Sequence, residues 1–155
     1  MEDFVADDEF LYRCIFHETS DGTKTYKVEN GKVYVSISAF RDISLAPSVD
    51  RAILCEYNPA YTQKSFEDGV VSLISQDVRL IDSVVQKDSK GREEFTYKID
   101  VIPRPLPDNS AHAQIEPAPA YRSKSVFRKL LERLAFLANQ REWEILPWEL
   151  RQPKS

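Results

Sequence analysis

The dipeptide Asn30-Gly31 lies between two segments of strand composition, "TYKVE" and "KVYVSI". A two-residue Asn-Gly loop suits a type I′ turn, because both central positions need positive φ. That turn fixes a register. Glu29 faces Lys32, and period-two alternation puts Tyr26, Val28, Val33 and Val35 on one face, expected to be the core side.

The rest of the chain extends this pattern. "FLYRCIF" (10–16) reads as a strand with Phe10, Tyr12, Cys14 and Phe16 on one face and Leu11, Arg13 and Ile15 on the other. In "SLAPSVDRAILCEY" (44–57) the near-helical spacing of Val49, Ala52, Ile53 and Tyr57, with Ser48 as N-cap, predicts a short helix. "GVVSLIS" (69–75) predicts a buried strand. Residues 78–86 and 93–102 predict a second hairpin around "KDSKGR", with Phe95, Tyr97, Ile99 and Val101 facing inward. Residues 103–121 hold five of the nine prolines and predict an ordered excursion in which "AHAQI" forms a short edge strand. Residues 123–140 place Val126, Phe127, Leu130, Leu131, Leu134, Leu137 and Ala138 on one helical face, and the two tryptophans beyond are expected to pack back on the body. The fold class expected is α+β: an antiparallel sheet of five to seven strands, a short central helix, and a C-terminal amphipathic helix packed on the sheet. One domain over 10–150 is expected, with an acidic tail at 1–9 and a polar tail at 151–155.

A chain of 155 residues, 42% hydrophobic and 30% charged, can bury a core unaided. No run of eighteen apolar residues is present, so no membrane partner is expected. The N-terminus lacks the basic start and apolar stretch of a secretory signal, and Cys14 and Cys55 are isolated thiols; both suit a cytoplasmic setting. The net charge of −4 argues against nucleic-acid binding by the whole surface, but it is unevenly spread. Residues 1–10 carry five acidic groups and no basic one, whereas residues 121–155 carry eight basic against four acidic.

Motifs for cofactor chemistry are missing. The four glycines are isolated, no G-x-S-x-G elbow occurs, and two histidines with two lone cysteines make no recognisable metal ligand set. Neither a cofactor nor a metal is expected. Three constellations remain. His17 and His112, with Arg13 beside them, would be the catalytic set of a cofactor-free phosphodiesterase or toxin-like ribonuclease if both rings shared a cleft. The simpler expectation for His112 is a hydrogen bond to a backbone carbonyl that helps close the proline-rich excursion. Ser36, Ser38, Arg41, Ser48, Asp50 and Arg51 cluster where the hairpin leads into the next element, and could hold a phosphate. On the C-terminal helix Lys129 and Arg133, joined by Arg122 if the helix starts early, form a basic edge that could meet an acidic partner or a nucleic-acid backbone. The leading expectation is an accessory protein of a larger prokaryotic assembly, binding a protein partner through Arg122, Lys129, Arg133, Arg41 and Arg51. The ribonuclease is the alternative.

Overall fold

A computed structural model describes residues 3–121 and 123–151. Arg122 and the expected polar tail from residue 152 onward lie outside the described residues. Among those described, nine strands form antiparallel sheets and three segments are α-helical. The main sheet has the order β5-β1-β4-β9-β8, built from β1 (Phe10–Ile15), β4 (Ser48–Arg51), β5 (Gly69–Ile74), β8 (Lys98–Pro103) and β9 (His112–Ala118). Two further ribbons stand apart, β2 (Tyr26–Glu29) with β3 (Lys32–Val35), and β6 (Val85–Lys87) with β7 (Glu93–Thr96). The Asn30-Gly31 turn forms with the expected register, Glu29 opposite Lys32, and both turn residues have positive φ (51° and 78°).

Alternation along the strands separates two faces. One carries Leu11, Val49, Val71, Leu73, Ala113 and Ile115, which share a buried cluster with the apolar stripe of α2 (Lys124–Asn139). Leu130 and Leu134 are fully buried there, and Leu137 packs half-buried at the edge. Trp143 packs back as expected, its indole N–H donating to the Val33 carbonyl at 3.0 Å, while Trp148 is part-exposed against Phe66. The opposite face is covered in part by the 3₁₀ turns Ala52–Cys55 and Pro59–Thr62 and by Ile145, which packs against Tyr12 and Val70. Ser72, Tyr12, Asp50 and His112 stand there in one row across four strands, since their Cα atoms are direct register partners.

Several expectations need correction. The helix predicted over 44–57 is instead β4 followed by two 3₁₀ turns, Ala52–Cys55 and Pro59–Thr62. Ser48 is a strand residue opposite Gln114, not an N-cap, and Ile53 and Leu54 are exposed. Pairing with β1 and β9 on either side satisfies this backbone and overrides the local helical spacing. The short helix lies later, at α1 (Ser75–Arg79), across the junction of the strands expected at 69–75 and 78–86; of the latter only Val85 and Gln86 are extended, in β6. Here the Ser75 and Gln76 N–H groups donate to the carbonyls of Glu9 and Asp7, so the N-terminal segment receives the chain as it leaves β5. "AHAQI" is not an edge strand, because β9 lies between β4 and β8. In the hairpin, Val28 is 51% exposed, so only part of the expected core face is covered.

The acidic segment is anchored rather than loose. Val5 is fully buried, Glu9 grips the Arg51 guanidinium with two bonds of 2.8 Å, Asp3 adds a third at 2.7 Å, and Asp7 pairs with Arg79 at 2.7 Å. Its charges therefore meet β4 and α1, not the basic C-terminal region.

Leu134 has no exposed surface and belongs to the buried cluster between α2 and the sheet. Leu134→Ala removes three buried carbons and leaves a cavity, so urea unfolding should show a loss of about 2–5 kcal/mol. A loss below about 1 kcal/mol would place the helix away from the core.

Candidate functional site

The open face of the sheet forms the floor of a cleft of about 470 Å³, between the 41–43 loop, the Thr62–Lys64 turn and the 106–109 segment. Tyr12, Cys14, Ser48, Asp50 and His112 reach it from three adjacent strands. His112 Nδ1 lies 2.8 Å from the Arg104 carbonyl and Nε2 lies 3.1 Å from Ser48 Oγ. A carbonyl oxygen only accepts, so Nδ1 carries the hydrogen, and the lone pair of the neutral ring points at Ser48. His112 thus makes the carbonyl bond expected from the sequence and closes the excursion over the sheet. Ser48 Oγ is also 3.3 Å from Asp42 Oδ2. Burial works to raise the Asp42 carboxyl, but bonds from Ser44 and Ser48 and the nearby Arg13 charge outweigh it and hold it below the ordinary value. Asp50, 5% exposed, accepts from the Thr62 hydroxyl at 2.8 Å and from the Asn109 amide at 2.9 Å.

Arg13 does not reach toward a substrate. Its guanidinium is buried and donates to three backbone carbonyls, Ala39 at 3.0 Å, Ser48 at 2.8 Å and Arg41 at 3.0 Å. Burial lowers its pKa, with the Asp42 charge opposing. Its role is to fix the chain from the 3₁₀ turn Ile37–Phe40 to the start of β4, and with it the wall of the cleft.

His17 is elsewhere. It follows β1, and on ideal strand spacing its Cα is roughly 15–20 Å from that of His112. Its ring lines a separate cavity of about 100 Å³ with Tyr26, Glu67, Trp148 and Glu149. The paired-histidine arrangement is therefore not brought together in one cleft. Instead His17 Nδ1 donates to Asp68 Oδ1 at 2.7 Å, and the hydroxyl of Tyr26 closes the cavity on Glu149. Asp68, 1% exposed, also receives the N–H groups of His17, Lys64 and Ser65 and the Cys14 thiol. Burial works to raise the Asp68 carboxyl, and these bonds, that of His17 first, hold it below its ordinary value. The Asp68 bond lifts His17 above its ordinary value, against partial desolvation and with help from Glu67 and Glu18. Cys14 and Cys55 are free and buried, and burial pushes both thiols up to about 12.

The expected basic edge is divided. Lys129 Nζ donates to the Val85 carbonyl at 2.9 Å, Arg133 stacks 4.7 Å from the centre of the Phe136 ring, and Arg51 is buried against Glu9. Arg41 does reach the surface. It joins Lys124 and Arg128 along a groove of about 680 Å³ floored by Ile37, Ile43, Leu45, Phe127 and Leu131. Arg41 and Lys124 have no ion-pair partner among the described residues, and Ile43 is 103% exposed. The sequence reading chose the Lys129–Arg133 edge, whose side chains have contacts within the fold, and passed over Ile43, an apolar residue in a polar loop beside the groove. Asp42 and Asp68 carried no local signal.

Among the described residues no cluster of His, Cys, Asp and Glu is arranged to hold a metal ion, and no helix is long and apolar enough to cross a membrane. The chain matches no family model, no curated protein and no solved structure.

Two outcomes are expected. Arg13→Met leaves one buried and two part-buried carbonyls without their donor, and at about 1–3 kcal/mol for an unsatisfied buried group it should lower unfolding stability by about 2 kcal/mol or more. An unchanged midpoint would remove Arg13 from the scaffold. The second concerns pH. The folded value of His17 is above the ordinary 6.5, so its contribution is complete below that pH and is lost as pH rises through the raised value. Asp68 is held below 3.8, so its contribution is complete above that pH and is lost as pH falls through the lowered value. Urea midpoints of wild type and His17→Gln should differ most between about pH 4 and 6.5 and converge as pH rises through the raised His17 value. A difference that grew from pH 6 to 9 would refute the His17–Asp68 assignment.

Proposed function

We propose that the protein is an accessory protein that docks an acidic, apolar-tipped segment of a partner chain in the groove between the 41–45 loop and the first half of α2. One observation carries this reading. An apolar floor is rimmed by Arg41, Lys124 and Arg128, and the only carboxylate of the lining, Asp42, is engaged by Ser44 and Ser48. Exposed apolar surface beside cations suits a segment that buries an aliphatic or aromatic anchor while its carboxylates neutralise the rim. Arg128 has a single exposed contact with Glu132 at 3.3 Å, which is readily exchanged for a partner's carboxylate. The unpaired thiols suit a reducing compartment, and a cytoplasmic, prokaryotic assembly is the setting we propose. Nucleic acid through the Lys129–Arg133 edge is the less favoured partner, because those two side chains are engaged within the fold.

The test starts from a photo-crosslinking residue at position 43 in the intact protein in cells, and identifies the captured chain by mass spectrometry. That chain's affinity is then measured against Ile43→Asp and against Lys124→Glu with Arg128→Glu. Both variants should fold as wild type, since exposed substitutions usually move stability by under about 0.5 kcal/mol each. Each should weaken binding at least about tenfold, equivalent to about 1.4 kcal/mol, and wild-type binding should weaken with salt. Wild-type affinity in the charge-reversed variant, or captured contacts that map outside the groove, would overturn the reading.

A further inference from the structure

We propose that Ser48 and His112 form a nucleophile–base pair that hydrolyses a small carboxylic ester in the cleft on the open face of the sheet. This inference is independent of the groove and concerns the opposite side of the 41–43 loop.

Geometry carries it. A serine becomes a nucleophile when a base within hydrogen-bond reach accepts its proton and a third group orients that base. Here the base is 3.1 Å from Ser48 Oγ and the orienting acceptor, the Arg104 carbonyl, is 2.8 Å from the other ring nitrogen. Both backbones are clamped. The Ser48 carbonyl accepts from Arg13 at 2.8 Å, and the His112 carbonyl accepts from the Arg104 N–H at 3.0 Å. The Ser48 hydroxyl has one hydrogen, donated to Asp42 Oδ2 at 3.3 Å; rotating it toward His112 Nε2 at 3.1 Å hands it to the base. The cleft is open to solvent, and its volume of about 470 Å³ lies in the range of small-molecule sites.

The reaction balances without a cofactor. Ser48 Oγ bonds to the ester carbonyl carbon, its proton passes to His112 Nε2, and the carbonyl π pair moves onto oxygen. Lys64 and Arg41, both lining the cleft, are the cations available to that developing charge. The pair then returns, the bond to the leaving oxygen breaks, and the alcohol takes the proton from Nε2. Water adds to the acyl-serine, giving one proton to Nε2; the carbon–Oγ bond breaks, the acid departs and Ser48 recovers its proton. The net change is ester plus water to acid plus alcohol.

The test treats the full chain with an alkyl fluorophosphonate, which bonds to activated serine hydroxyls, and locates the adduct by mass spectrometry. Hydrolysis of p-nitrophenyl butyrate is followed in parallel. Wild type should gain one adduct on Ser48 and release p-nitrophenol, and Ser48→Ala should do neither. His112→Asn keeps an amide donor for the Arg104 carbonyl but supplies no base, so labelling should slow by about 10²–10⁴-fold; thermal melting confirms that each variant is folded. Folded wild type that takes no adduct at Ser48, or His112→Asn labelled at the wild-type rate, would overturn the proposal.

Discussion

The arrangement of both cavities depends on one buried cation. Arg13 leaves β1 and gives its guanidinium to three carbonyls of a segment that has little regular structure of its own. Such a contact is reciprocal. A buried guanidinium without acceptors is costly, and buried carbonyls without donors are costly as well, so each stabilises the other only when the loop adopts this one path. No carboxylate touches Arg13 among the described residues, and the Asp42 charge acts on it through space. The consequence reaches the surface, since Arg41, Asp42 and Ile43 form the wall shared by the ester-sized cleft and the apolar groove.

Buried carboxylates do the same elsewhere. Asp68 gathers three backbone N–H groups, an imidazole and a thiol, which pins the 63–68 turn beneath β1. Glu9 closes on Arg51 in a buried pair, while the exposed Asp3 adds a contact to Arg51 and the exposed Asp7 shares Arg79 with Asp100. Buried ion pairs add little net stability, because desolvation offsets most of the attraction; their contribution is to penalise every arrangement in which one partner is left alone. For a chain whose connections are long and proline-rich, that penalty selects one path among many. The acidic run at the N-terminus thus takes part in the fold, although its composition suggested a solvated tail.

What could be read from the sequence was whatever local physics determines. The Asn30-Gly31 hairpin is set by two dihedral requirements, and α2 by an apolar stripe too regular to mistake. The two faces of β1 followed from alternation alone. β4 could not be read this way. Four residues are too few to show a period, and Asp50 and Arg51 resemble surface residues until Thr62, Asn109, Glu9 and Asp3 arrive from distant segments. The site was half visible for the same reason. His112 stood out by rarity and Ser48 by its place after a proline, but their contact depends on β4 pairing with β9, a relation spanning 64 positions. The pairing of His17 with His112 was conditional on a shared cleft, and the strands hold these two rare residues in separate cavities.

The uneven covering of the sheet explains why a cleft exists at all. A strand buried on both faces needs apolar side chains on both, as β5 has in Val70 and Val71. β4 and β9 alternate instead, with Val49, Ala113 and Ile115 turned to the helix and Ser48, Asp50 and His112 turned away. Had a second helix covered that face, these three polar groups would each have required a buried partner from it. Turns and the proline-rich excursion supply such partners selectively: Thr62 and Asn109 each donate to one oxygen of Asp50, and the Arg104 carbonyl satisfies one nitrogen of His112. The remaining nitrogen faces the Ser48 hydroxyl at 3.1 Å, and that hydroxyl also reaches Asp42 at 3.3 Å. Polar side chains held by a rigid sheet, ordered from behind and open in front, are what a reactive or recognising surface requires, and a wholly apolar face would have been covered during folding.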